Sequence, residues 1–417
     1  MISFISKKLR MSPEIFMFFI LVSAVAVGNG LSDSIFANYF KDVYKISALQ
    51  RGFIEFPREL PGLICALIIG SLGFLGDLRL AMIAQVASLV GLIVLGLFTP
   101  AFGVMLIFLF INSMGMHLFM PLQDAIGMTI SEQDQIGRRM GQYSSVRSAF
   151  ALAAALLVFF GFRTGFFTFA APVKWVFLVG SAAFFCALVM TIIMIGRIRP
   201  HRAKRRRTKL VLRKQYRYYY LLATLHGAQK QIAFVYGVWV IVDILEKKAD
   251  TVAMLVIAVS FLSVFFLNVL GRWMDRFGVK KMMFLEASAF ICIYAVYGLV
   301  VSGITSGSLS ANFAAWIVYA LFILDRMSMQ MGMIRSVYLR SIAVNEDEVT
   351  STLSMGISLD HFVSITAALL GGFIWARFGS QWVFFMTAMF SLGNMFVAIR
   401  VQPEREIALK MQTKLEG

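Results

Sequence analysis

The chain has 417 residues, 59% hydrophobic and 15% charged, with a formal net charge of +17; its mean hydropathy is +0.79. A soluble domain is nearer half apolar and a quarter charged, so these totals exclude an ordinary soluble protein and point to an all-α integral membrane protein. The three cysteines, Cys65, Cys186 and Cys292, lie far apart inside apolar runs, which gives neither a disulfide framework nor metal spacing. No Walker-type phosphate loop occurs, so ATP is not expected to supply energy, and no cofactor is implied.

A membrane helix needs roughly 20 mostly apolar residues. Taken in chain order, twelve runs meet this: 14–40, 51–75, 79–98, 102–127, 144–167, 173–196, 219–244, 252–270, 281–302, 312–336, 352–376 and 380–400. The first follows Lys7, Lys8 and Arg10 but is too long for a signal core and has no small-residue cleavage site. Between the sixth and seventh runs lies RIRPHRAKRRRTKLVLRKQYR, with eleven Lys or Arg and no acid. The expected organisation is a six-helix bundle over 1–196, a basic linker over 197–217, and a second bundle with its tail over 218–417. With the N-terminus placed in the cytoplasm, 26 of the basic residues fall on that side and 8 outside, which sets both termini inside. The basic linker is therefore read as topology signal and not as a nucleic-acid site. Short loops and the lack of any Asn-x-Ser/Thr acceptor point to the cytoplasmic membrane of a bacterium.

The halves echo each other. GFLGDLR (73–79) follows the second run and GRWMDRFGVKK (271–281) the eighth, with Gly73 and Asp77 at the spacing of Gly271 and Asp275. Likewise ISEQDQIGRRMGQYSSVRSAF (130–150) parallels VNEDEVTSTLSMGISLDHFVS (344–364). With twelve spans, a basic central loop and Gly271, Asp275, Arg276, Gly278, Lys280 and Lys281 in the loop pattern, the chain resembles the major facilitator superfamily over nearly its whole length. The resemblance implies twelve transmembrane helices in two pseudo-symmetric six-helix bundles, and a loop motif that latches their inward side. Span five reads SAFALAAALLVFFGF (148–162) and lacks the Gly-Pro signature of the drug-exporting antiporters of that family.

An ionised group at the bilayer centre costs about 2.5–3.5 kcal/mol on insertion scales, so it marks a cavity or a partner. Span one carries Asp33 on one face with Asn29 and Ser32, as a cavity wall or as an acid satisfied by neighbours. Span two opens FIEFPREL (53–60). Glu55 and Glu59 are one turn apart and share a face; Glu59 is the expected proton site, Arg58 its regulator, and Pro57 and Pro61 allow bending. In span four His117 and Asp124 share a face around Pro121, and Arg147 of span five is placed to meet Asp124 as an inner gate. Span seven carries Gln229 and Lys230 at midspan with His226 one turn back. Lys230 either meets an anionic substrate group or locks the bundle on Asp33 or Asp325. Span ten adds Asp325, Arg326 and Gln330. Span eleven adds Asp360 and His361, where a histidine beside an acid suits proton traffic.

Asp33, His117, Gln229, Lys230, Asp325, Arg326 and Gln330 are thus expected to meet substrate. Glu55, Arg58, Glu59, Asp124, Arg147, Asp360 and His361 are expected to couple protons or gate. These side chains imply a monomeric, proton-coupled secondary transporter of a small anionic or zwitterionic solute, working by alternating access in a lipid bilayer. Two alternatives remain open: an exporter of amphipathic or cationic compounds, and a non-transporting membrane receptor or assembly partner. No nucleophile–base pair or metal constellation suggests an enzyme.

Overall fold

The computed structural model of the chain describes residues 12–132, 136–198, 213–343 and 346–402, which are helical with no strand among them. The basic run at 199–212 and the termini, which carry much of the topology argument, lie outside the described residues. Helix α1 (Pro13–Tyr44) starts on Ser12, whose Oγ accepts from the Ile15 N–H at 3.3 Å, with Pro13 at the first position. It ends at Lys45, a left-handed residue whose N–H returns to the Lys41 carbonyl. Helix α2 (Ala48–Ser71) contains Pro57 and Pro61. Helices α3 (Asp77–Leu97), α4 (Phe102–Thr129), α5 (Ile136–Arg163) and α6 (Trp175–Arg197) complete the first half.

The second half is less regular. Helix α7 (Arg217–Ile232) passes into two π-helical stretches, Ala233–Gly237 and Val240–Ile244. Helix α8 (Ala249–Thr305) merges two spans, Ala249–Met274 and Arg276–Thr305, around a break at Gly278. Helix α9 (Ala311–Met329) tightens to a 3-10 turn at Gln330–Gly332 before α10 (Met333–Ile342). Helices α11 (Glu346–Phe378) and α12 (Ser380–Arg400) close the chain.

Among the described residues ten helices are long and apolar enough to cross a membrane. The two remaining expected spans are helical but differ in kind. Helix α2 carries Arg51, Glu55, Arg58 and Glu59, and α7 is α-helical for only 16 residues before it turns π. These are two of the stretches in which the sequence concentrates its in-span charges and amides.

Two compact units emerge: Met1–Lys45, Pro57–Arg205 and Lys248–Ile257 in one, and Ile46–Phe56, Arg206–Lys247 and Ala258–Gly417 in the other. The first is centred on aromatic packing of α1 against α6, with Phe177 4.8 Å from Tyr39 and 5.8 Å from Phe36. In the second, Tyr297 stacks on Phe384 at 4.5 Å, and Tyr216, Leu270, Met282, Ile334, Tyr338 and Val397 form a buried cluster. In lipid, cohesion between helices comes from such packing and from interhelical hydrogen bonds, because tails are as apolar as leucine. Large side chains such as Leu67, Phe74, Trp316 and Met389 are exposed, as lipid-facing positions would be.

The loop motif aligns differently in space than by letter. Gly76 has φ 81° and ψ 160°, and Gly278 has φ 79° and ψ 162°. That region is essentially closed to residues with a Cβ. Matching these two glycines sets Gly73 against Asp275, and Asp77 against Val279. The expected pairing of Asp77 with Asp275 is therefore corrected: Asp77 begins α3 immediately after its turn glycine, whereas Asp275 precedes Gly278 by three residues. Lys280 donates to the Ile399 carbonyl at 3.3 Å, a cation at the C-terminal end of α12. Arg276 lies over the Phe277 ring at 5.4 Å. The side chain of Asp275 lies outside the described set.

Candidate functional site

In the first unit the charges gather around the prolines of α2. Arg58 Nη2 lies 3.8 Å from Asp33 Oδ1, and its guanidinium sits 5.5 Å from the Phe36 ring. Arg58 thus serves Asp33 of α1, a partner that the expected regulation of Glu59 did not include. The Arg58 carbonyl accepts from Ser113 Oγ at 2.5 Å. Pro61 has no N–H to give the Pro57 carbonyl four residues back, so the backbone ladder of α2 is weakened beside this contact with α4.

Ser113 spends its hydroxyl hydrogen on that carbonyl. His117 Nδ1 is 3.1 Å from Ser113 Oγ and 2.9 Å from the Ser113 carbonyl, so Nδ1 carries the hydrogen and donates it. Nε2 is then the acceptor nitrogen of the neutral ring. A Glu59 carboxylate oxygen lies within 4.8 Å of a ring nitrogen of His117. The structure thus groups Asp33, Arg58, Glu59 and His117 within this unit. Asp124 and Arg147 are both exposed, and no ion pair joins them among the described residues. The expected inner-gate pair is absent because the two side chains are not brought together.

The second unit holds three further groups. Glu55 is buried and uses both oxygens: Oε1 pairs with Arg51 one turn back, and Oε2 accepts from Gln231 Nε2 at 3.0 Å. Lys230 of α7 pairs with Asp360 of α11, a partner that the sequence reading did not name for it. The approach is set by Gly227, where a Cβ would lie 2.7 Å from the Asp360 carbonyl oxygen. Ser364 Oγ donates to the Gly227 carbonyl at 3.2 Å and ties the same two helices.

Gln229 is fully buried. Its Nε2 donates to Ser391 at 2.8 Å and its Oε1 accepts from Asn394 at 3.3 Å, so its amide joins α7 to α12. An amide committed in this way does not offer itself to a solute, against the expectation for this residue. Tyr294 shares its hydroxyl between the Gln229 carbonyl at 3.1 Å and Asp325 Oδ1 at 2.9 Å. Arg326 lies face-on over Phe234 at 3.5 Å and beside Phe322 at 4.9 Å. Gln330 Nε2 donates to Ser263 of α8. His361 is half-buried on α11 next to Asp360.

Sequence reasoning missed several participants. Ser113 and Tyr294 gave no signal beyond being polar in an apolar run. Arg51 was legible as the i−4 partner of Glu55. Glu286, a lone acid in the second arm of α8, is buried with Arg335 as its electrostatic partner.

Among curated proteins none matches the chain. Solved structures similar in fold include the nucleoside transporter NupG (TM-score 0.73, 11% identity, 94% of this chain and 100% of that one). An auto-inhibited POT family peptide transporter (TM-score 0.73, 12% identity, 94% and 98%) and a D-xylose-proton symporter (TM-score 0.70, 13% identity, 94% and 98%) are alike too. At these identities the likeness concerns fold. The sequence profile of the Major Facilitator Superfamily matches residues 17–345. With that match over most of its length, its membrane-spanning helices and the fold of known transporters, the chain belongs to the Major Facilitator Superfamily and is a multi-pass membrane protein of transporter type.

Proposed function

We propose that the protein is a proton-coupled secondary transporter that moves a small organic zwitterion by alternating access of its two six-span halves. It works in the cytoplasmic membrane of a bacterium with both termini inside. The observation that carries this reading is the balance of in-span charge in the second unit: Lys230 with Asp360, Arg51 with Glu55, and Arg326 next to Asp325. Balanced groups suit a solute that carries both signs. A dianion would need surplus cations, and a lipophilic cation surplus acids. Glu59 and His117 supply titratable groups for the proton, beside the prolines of α2. Asp33, paired with Arg58, is poorly placed to capture a cation, which weighs against the exporter.

The same pairing also favours a second reading, a relative that binds without moving solute, because paired charges lock helices as well as they serve a cycle. Flux separates the two. In proteoliposomes with an imposed inward proton gradient, a labelled zwitterion is expected to accumulate while lipophilic cations do not. Glu59→Gln is expected to abolish gradient-driven accumulation and to leave solute exchange intact. Gradient-driven expulsion of cations would establish the exporter, and saturable binding without flux of any solute the receptor.

A further inference from the structure

The geometry points to an anion site inside the second unit, where Arg335 of α10 and His226 of α7 take one carboxylate group. It rests on the transport reading above and gives the acidic end of the solute a docking place. A Cβ at Gly332 would lie 2.7 Å from Arg335 Nη2 and 3.4 Å from His226 Cε1. The guanidinium and the imidazole therefore meet over this glycine, which ends the 3-10 turn before α10. The two atoms are no more than about 6 Å apart, a gap that the two oxygens of a carboxylate close with hydrogen bonds of ordinary length.

Both groups have hydrogen-bonding capacity left over. Arg335 spends Nε on the Gly332 carbonyl and Nη1 on the Leu222 carbonyl, both at 3.4 Å, beyond the ordinary range for such bonds. Its Nη2, with two further N–H donors, meets no acceptor among the described residues. His226 Nδ1 is buried and has no hydrogen-bond partner. A neutral imidazole carries its hydrogen on either nitrogen, and an acceptor at this place selects the tautomer that donates from Nδ1. Buried polar groups are normally satisfied, so two neighbouring groups left open call for an acceptor. A charged one binds a guanidinium more strongly than a neutral one.

The acids of the same unit do not fill the place. Asp360 is committed to Lys230. Glu286 is buried and acts on Arg335 electrostatically. Among the described residues no hydrogen bond or ion pair reaches it. It offsets the charge of the guanidinium and leaves the Nη2 hydrogens bare. Access remains as well: His226 and Arg335 are half-buried, whereas Leu222 and Gly227 on α7 and Ile334 and Tyr338 on α10 are buried. A neutral carbonyl fits the same gap, so charge is the property to isolate.

The test is calorimetric titration of the purified full chain with phenylalanine and alanyl-phenylalanine, each set against its C-terminal amide. Wild type is expected to bind at least one acid roughly tenfold or more tighter than its amide. Arg335→Gln is expected to lose that preference and to keep the affinity for the amide. His226→Leu is expected to weaken the preference, and His226→Asn, whose amide nitrogen stands near the place of Nδ1, to keep it. A role in packing alone would separate neither acid from amide nor one His226 variant from the other. Binding of the amide shows that a variant is folded, and should Arg335→Gln not fold, the two His226 variants decide. Equal affinity of wild type for acid and amide overturns the site, as a gap filled by water alone would give. So does an equal loss in His226→Leu and His226→Asn, or uniform weakening of acid and amide in Arg335→Gln. Full preference in Arg335→Gln and His226→Leu, with zwitterion flux in proteoliposomes, overturns the site and leaves the transport reading standing. Neither binding nor flux of any zwitterion ends both.

Discussion

Gly76 and Gly278 hold the same backbone conformation, φ 81° with ψ 160° and φ 79° with ψ 162°, each at the entry to a helix in its own half of the chain. A side chain there costs about 1–3 kcal/mol. Gly76→Ala and Gly278→Ala are each expected to lower the melting temperature of the purified protein by several degrees. Gly271 has helical geometry and nothing within 4 Å of an added Cβ. Gly271→Ala is therefore expected to be neutral or stabilising by up to about 1 kcal/mol. Equal losses at Gly271 and Gly278 would contradict the register drawn here.

Lys230 and Asp360 are coupled, so their removal is not additive. Both side chains are partly exposed, at 23% and 17%, which softens the penalty of a stranded charge. Lys230→Ala and Asp360→Ala are each expected to cost about 1–3 kcal/mol, and the double variant less than their sum. A thermal-stability cycle measures this, and strict additivity would mean that the pair contributes nothing.

Gly227 sets the distance between α7 and α11. In Gly227→Ala the new methyl meets the Asp360 backbone oxygen, which cannot swing aside as a side chain would. The helices must separate, and a cost of about 1–3 kcal/mol follows. In that background Lys230→Ala is expected to cost less than in wild type, because the ion pair is already stretched.

Asp124 and Arg147 provide the contrast. Both are exposed and unjoined by an ion pair. Asp124→Asn and Arg147→Gln are expected to change stability by less than about 0.5 kcal/mol each and to add without coupling. A coupling energy above that level would restore the gate pair read from the sequence.

Much of this protein was legible in its letters. The apolar runs placed the helices, since an unpaired backbone in lipid is too costly for anything but a helix or a closed barrel. The glycines, acid and basic residues of GRWMDRFGVKK carried the family resemblance. The groups later found together were also visible as charges in apolar runs: Lys230, Asp325, Arg326, Asp360, Glu55, Arg58 and Asp33. Their exclusion from lipid is a one-body property, and composition reports it.

Partnership is different. Nothing in the spacing told Lys230 to meet Asp360, or gave Arg58 to Asp33. Those choices depend on where a side-chain-free residue such as Gly227 lets two helices approach. They depend as well on where the Ser113 hydroxyl reaches the Arg58 carbonyl, and on a π-helical turn that lays Phe234 on Arg326. Each is a distance of a few ångströms between residues far apart in the chain. By itself the sequence determined that the protein spans a membrane as helices and which side chains are too costly to face lipid. Only the tertiary structure decided which of them answer one another, because Coulomb and hydrogen-bond energies fall off over lengths that only packing sets.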